Sequence, residues 1–340
     1  MEKSQILNEK EKELKGRYQI KDTINIPGFN VYSAIDLKSK LPVAIQEVSD
    51  IFQDRNDAKR AYTEIKTFEL LDHDNITKFL SLQATPKFDN FTKFFIISEL
   101  LNSSLDQIIS DSQNLLAVNN RRFIIFQILK TLKYLHSANI IVKSLNPLNI
   151  FFDSSYNIKF LFFGIERYQK PDKIVERWYK APEIFLLNDC LDPSADIWSV
   201  GCIFYSLITK KVLFQGKTLL EHIESIISKI GNLTEDDLSY NDKKIVSGII
   251  DVSPNKTEPN WNELIPNGLG EEIELIKSML VWKPSKRITI DDALKNPYFN
   301  GLYNPSNIKT TEPIDMHEID HLKVEDFKQI IWEEIQSKKH

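Results

Sequence analysis

The chain is short of cysteine, of glycine and of long apolar runs, and each shortage removes a class of protein. Its two cysteines, Cys190 and Cys202, cannot build a disulfide framework, and neither stands in a His/Cys cluster with zinc-ligand spacing. A reducing interior, cytoplasmic or nuclear, is the expected address. No uncharged run exceeds 13 residues, and the most apolar, Ile197–Thr209, is too short to span a bilayer and fits a buried helix instead. Met1–Tyr18 is dense in Lys and Glu and lacks the apolar stretch of a signal peptide, and Glu2 is not the glycine that a myristoyl chain requires. Neither sign of charge dominates: 43 Lys and Arg against 48 Asp and Glu leave a net charge of −5. That balance argues against a global grip on nucleic acid or an anionic membrane. What is present is a globular composition, 42% hydrophobic and 27% charged over 340 residues, enough for two or three packing units.

From Tyr18 to Val48 apolar and polar residues alternate, with breaks at Pro27-Gly28 and Lys38–Lys40, which predicts a meander of strands. Asn56–Leu71 changes to a helical period, with Ala61, Ile65, Phe68 and Leu71 on one stripe. Thr77–Leu82 and Lys93–Leu101 return to strand. Helical stripes then dominate: Arg121–His136, Asp196–Thr209, Leu219–Ile230, Glu271–Leu280, Ile290–Leu294 and Val324–Ser337. Sheet first and helix later predicts an α+β protein of two lobes, with a cleft near Glu99–Asn102. Asp237–Gly270, rich in Asn, Pro and Asp, is expected to be an irregular insertion.

Arg177-Trp-Tyr-Lys-Ala-Pro-Glu183 is followed by Asp196-Ile-Trp198-Ser-Val-Gly201, and later by Lys286-Arg287 and Pro297-Tyr298. In this order and spacing the motifs resemble the eukaryotic protein kinase fold, a small antiparallel β-rich lobe and a large helical lobe. Asp57-Ala-Lys-Arg-Ala-Tyr-Thr-Glu64, Asn75-Ile76, and Tyr134-Leu-His-Ser-Ala-Asn-Ile-Ile141 narrow the resemblance to the mitogen-activated protein kinases, nearest the stress-activated, Jun amino-terminal kinase branch. Tyr303-Asn-Pro-Ser306 and Ile330-Ile-Trp-Glu-Glu334 are similar to that family's C-terminal extension. The resemblance implies an N-terminal extension at 1–17 and a kinase-like domain at 18–299, divided near 101. Residues 300–340 would then be a tail that packs back on the small lobe. It also implies a buried ion pair between Glu183 and Arg287, with Asp196 as a further structural residue.

The residues that would carry phosphoryl transfer depart from the family. Such enzymes hold phosphates and magnesium and orient a hydroxyl. In the phosphate-covering segment, Asn25, Pro27 and Asn30 stand where glycines are expected, and Pro27 has no N–H to offer. Val-Ala-Ile-Lys is replaced by Val43-Ala44-Ile45-Gln46, so a neutral amide stands for the phosphate-gripping lysine. Its helix partner, Glu64, is retained, and a Gln–Glu hydrogen bond could still position that helix. In the catalytic loop Ser144 replaces the orienting carboxylate and Asn146 the neighbouring lysine, and serine is a poor base near neutral pH. Phe162-Phe163-Gly164 stands for Asp-Phe-Gly, and a phenyl ring cannot ligate magnesium. Asn149 alone remains of the metal shell, with a loop-capping amide as its other reading. Ile165–Lys180 contains no Ser or Thr for an activating kinase.

These losses imply a pseudokinase with no cofactor. ATP and magnesium return only under the alternative, a weak or atypical ATP-dependent serine/threonine kinase in which a relocated carboxylate such as Asp153 or Glu166 acts. A structural relic is a third reading. Val31, Ala44, Ser98, Glu99 and Leu101 would be a vestigial adenine pocket, which Phe162 could fill. Expected partners are proteins with basic and apolar docking segments, members of a mitogen-activated kinase pathway among them, and neither nucleic acid nor membrane. Cations would meet Asp315, Glu318 and Asp320, interleaved with His317 and His321, and apolar side chains would meet Phe152 and Tyr156.

Overall fold

The computed structural model describes residues 2–26, 29–84, 87–101, 103–111, 113, 115–161, 177–186, 192–231, 259–315 and 317–337. The chain divides into two compact units: residues 1–102, 159–169 and 314–340 form one, and residues 103–158 and 170–313 the other.

The first unit is built on a sheet of β1 (Tyr18–Ile26), β2 (Phe29–Asp36), β3 (Pro42–Val48), β4 (Phe79–Ala84) and β5 (Phe94–Glu99), in the order β1-β2-β3-β5-β4. Every neighbouring pair is antiparallel. The two-residue period then decides what each face does. Ile20, Tyr32, Ala34, Val43, Ile45, Phe95 and Ile97 join one buried cluster with Leu14 and Tyr18. Leu14 follows a polar helix, α1 (Glu2–Glu13), that the charge-dense start of the chain does not announce. Gly16, at φ +67°, ends that helix by donating from its N–H to the Glu11 carbonyl. Lys10 and Lys93 then converge on the buried Glu47 carboxylate at 2.8 and 3.0 Å. Burial pushes its pKa up, but the two ammonium groups outweigh it and hold the carboxyl below its usual range. Leu14 is therefore part of this unit's core, and Lys10 ties α1 to it.

Helix α2 (Arg55–Leu70) starts where the Asp54 side chain accepts from the Asp57 N–H, a cap in keeping with a first turn that also carries Asp57. Of its predicted stripe, Ala61, Ile65 and Phe68 are buried, and Leu71 lies half-exposed past the helix end. The tail from Ile314 onward belongs to this unit, whereas residues 300–313 belong to the other. Its closing helix, α11 (Val324–Ser337), buries Phe327, Ile331 and Ile335 completely.

The second unit contains β6 (Ser103–Ser104), α3 (Leu105–Ser110), α4 (Val118–Ser137) and β7 (Ile150–Phe152), with β8 (Ile158–Phe160) beginning at its boundary. Then follow α5 (Glu183–Leu186), α6 (Ser194–Thr209), α7 (Leu219–Ile230), α8 (Trp261–Leu264), α9 (Gly270–Met279) and α10 (Ile290–Leu294). Apart from its end residue Thr209, α6 is buried from Ala195 onward, which explains why it is apolar all round. Gly201 lets α6 approach α9, since a Cβ there would stand 2.9 Å from Leu280. Of the predicted insertion 237–270, residues 237–258 lie outside the described residues, and the remainder includes α8. No helix among the described residues is long and apolar enough to cross a membrane.

Candidate functional site

In the second unit the loop at 142–149 is fixed from below by Asp196, which lies in the first turn of α6 and has no exposed surface. Its carboxylate accepts from the Val142 and Lys143 N–H groups at 2.9 and 2.8 Å and meets His136 Nε2 at 2.8 Å. Lys143 takes φ +62° to make this approach. Above the anchor, the loop is closed by amides. Asn146 Nδ2 and Asn149 Nδ2 both donate to the Ser144 carbonyl, at 2.8 and 3.2 Å. Asn149 Oδ1 accepts from the Asn146 N–H, and Asn146 Oδ1 from the Leu148 N–H. Both ends of the Asn149 side chain are thus engaged in a capping box. Ser144, 4% exposed, supplies a hydroxyl where a proton acceptor would need a carboxylate.

In the first unit, register gathers the predicted pocket residues on one face. Val31 stands opposite Gln46, Ala44 stands opposite Ser98, and Ala44 and Gln46 are two residues apart on β3. All four are buried. Glu99 is tied at the strand end, accepting from the Lys78 N–H at 2.7 Å and pairing with Lys159 at 3.1 Å, and Leu101 is half-buried. Gln46 stands at the position where the resemblance expects a phosphate-gripping lysine, and its Nε2 is buried without an acceptor among the described residues. The expected Gln46–Glu64 hydrogen bond is therefore not made, because this amide nitrogen is the only donor Gln46 could offer the carboxylate. Glu64 lies half-buried on α2. Phe162, Phe163, Gly164, Glu166, Pro27 and the activation-segment residues 165–176 lie outside the described residues.

Asp153, considered as a relocated acid, is spent on its own turn: it accepts from the Ser155 and Asn157 N–H groups and from Asn157 Nδ2. In that turn Phe152 and Tyr156 stack at 5.9 Å with their planes 10° apart. Tyr156, at φ +59°, is held by Gln127 Nε2, which donates to its carbonyl. These two rings belong to the second unit, and Asp315, Glu318 and Asp320 to the first. All three acids are exposed, but Asp320 is not open: its carboxylate is taken by Lys59 of α2 and its carbonyl by Arg55.

The Glu183–Arg287 pair is bidentate and dry. Arg287 donates to the two Glu183 oxygens at 2.5 and 2.7 Å, and its remaining N–H groups go to the carbonyls of Val281, Trp282 and Ser194. Its guanidinium also lies over the Trp198 ring, 5.1 Å from the centroid. A second buried pair, Arg121 with Glu272 at 2.6 and 2.9 Å, joined by the Tyr298 hydroxyl at 2.7 Å, had no motif to announce it.

Compared with known proteins, residues 28–299 match the family described as "Protein kinase domain". The chain is similar to Mitogen-activated protein kinase 14 of Arabidopsis thaliana, 33% identical over 310 residues that cover 90% of this chain and 86% of the relative. Mitogen-activated protein kinase 4 of Oryza sativa subsp. japonica is 32% identical over 312 residues, 90% of this chain and 84% of the relative. The Medicago sativa homolog MMK2 is 31% identical over 320 residues, 89% and 84%.

Proposed function

Because the chain belongs to the mitogen-activated protein kinase family, we propose that it is a catalytically inactive member of it, which acts by binding other proteins as scaffold, decoy or allosteric partner. The carrying observation is the loop 144–149, where Ser144 and Asn146 stand for the orienting carboxylate and its neighbouring lysine and, with the retained Asn149, make a closed neutral network. At these motif positions the chain offers a magnesium-bound nucleotide neither a carboxylate nor a cation. Asn149 Oδ1 is committed to the loop, and Gln46 brings no charge to offset a phosphate. Phe162 at the metal-carboxylate position supports the same reading from the sequence. The stress-activated branch is the nearest placement of its motifs within the family. Asp153, committed to its turn, leaves the atypical-kinase alternative without support from that residue.

The test is nucleotide titration with and without magnesium, together with radiolabelled transfer to the protein itself and to a generic substrate. No transfer is expected, and Ser144→Asp alone will restore none, because the lost groups act as a unit. Transfer abolished by Asn149→Ala would establish the weak-kinase alternative instead. For binding, a basic and apolar docking peptide is expected to associate with an affinity on the order of micromolar, weakening as salt rises. Asp315→Asn/Asp320→Asn should reduce it. Equal binding by that variant, or none by either protein, would leave the structural relic.

A further inference from the structure

Between α3, the end of α6 and α7 the second unit holds a cavity of 730 Å³. Ile109, Leu148 and Leu213 make part of its wall apolar, and Trp178 is fixed beside them by donating from Nε1 to the Gly216 carbonyl at 3.2 Å. Such a volume suits a ligand with a body of its own and exceeds what one small ion fills.

The charges that line it do not cancel. Lys210, Lys211 and Lys229 face the cavity against one carboxylate, Asp106, so three against one leaves a surplus of two positive charges. Lys210 closes α6 in the left-handed region at φ +59°, and its half-buried ammonium donates to the Ile108 carbonyl at 2.7 Å. Lys211 follows it at an exposed position. Neither of these two ammonium groups has a carboxylate within ion-pair distance among the described residues. Lys229 Nζ donates to Ser225 Oγ at 3.0 Å. Burial pulls the Lys210 pKa below its usual value even though Asp111 opposes the shift, which is the behaviour of a cation short of counter-charge. Asp106 does not make up the deficit: burial alone acts on its carboxyl, and raises its pKa.

We propose that this cavity binds a phosphorylated segment of another protein, its phosphate held by Lys210, Lys211 and Lys229 and an apolar side chain next to the phosphate set against Ile109, Leu148 and Leu213. A phosphate monoester carries close to two negative charges near neutral pH and three strong acceptor oxygens, which matches both the charge surplus and the number of cations. A single carboxylate would neutralise only part of it. That the phosphate belongs to a protein rests on the protein-binding reading above. The site is separate from the acids Asp315, Glu318 and Asp320, which lie in the first unit and call for the opposite charge.

The test is fluorescence anisotropy with the full chain and a short labelled peptide carrying one phosphoserine beside leucine, compared with the same peptide unphosphorylated. The phosphopeptide is expected to bind roughly tenfold more tightly, with the preference shrinking as salt rises. Lys211→Glu, a change at an exposed position, should abolish the preference and Lys211→Arg should keep it. Asp106→Asn, which removes the one lining carboxylate, should tighten the phosphopeptide several-fold, an effect that a merely structural role would not produce. Equal binding of the two peptides, a wild-type preference in Lys211→Glu, or displacement of the phosphopeptide by inorganic phosphate at equal concentration overturns the site. Radiolabelled phosphate transfer by the protein would instead overturn its inactivity and leave these affinities standing, so the two readings fail separately.

Discussion

In the second unit Arg287 and Glu183 meet with 0% and 3% of their side chains exposed, and every remaining guanidinium N–H finds a carbonyl. In the first, Lys59 and Asp320 make the same kind of charge pair with a third and a half of their surfaces in water. The chemistry is alike and the consequences differ, because a buried charge that loses its partner cannot turn to solvent, whereas an exposed one can. One pair is architecture, and the other can open and close while the protein stays folded.

The sharpest way to break this comparison is to remove one member of each pair and follow denaturant unfolding. Glu183→Ala should cost about 3–5 kcal/mol, since Arg287 would be stranded. Asp320→Asn, at the exposed pair, should cost less than about 1 kcal/mol. Similar losses in the two variants would show that burial is not what separates the units.

Acid tests the second unit further. His222 on α7 has no exposed surface, both ring nitrogens lack partners among the described residues, and Phe185 and Phe214 pack against it edge-on. Burial, with Arg177 and Lys229 nearby, holds its pKa down at about 4. The unfolded chain therefore binds a proton that the folded one does not, between that value and the ordinary histidine pKa of about 6.5. Stability falls as pH drops through this window, by about 3 kcal/mol in total. His222→Leu should flatten that slope in melting curves taken across the window. An unchanged slope would assign the acid sensitivity of this window elsewhere, and not to Glu47, whose depressed pKa places its loss at lower pH.

The smallest effect sharpens the comparison most. Lys59→Ala should barely change the melting temperature and yet raise the affinity of a basic docking peptide several-fold, because the internal competitor for Asp320 is gone. Calorimetric titration of both proteins checks it, and equal affinities would place the peptide away from Asp320.

Strands and helices were legible wherever the hydrophobic period was strong. Leu219–Ile230 and Val324–Ser337 have the limits that their stripes give, while α2 and α4 differ by one to three residues at their ends. Helix α1 escaped because its stability comes from Leu14 and from ion pairs to Glu47 and Lys93, partners more than 30 residues away that no local pattern reveals. The Arg121–Glu272 pair escaped for the same reason, two ordinary charged residues 151 positions apart. The substituted residues Gln46, Ser144, Asn146 and Phe162 were legible at once, because a motif fixes which chemical group must stand at each position.

The sequence by itself thus determined the identities of the groups on which chemistry depends and the periods of the elements that carry them, both being properties of the chain read in order. Only the tertiary structure decided which of those groups are already engaged. Asn149 is engaged by its own loop, Asp320 by Lys59, and Asp153 by its turn, while the Gln46 amide nitrogen finds no acceptor among the described residues. The physical reason is that hydrogen bonds and ion pairs are contests among neighbours in space, and folding chooses those neighbours from the whole chain.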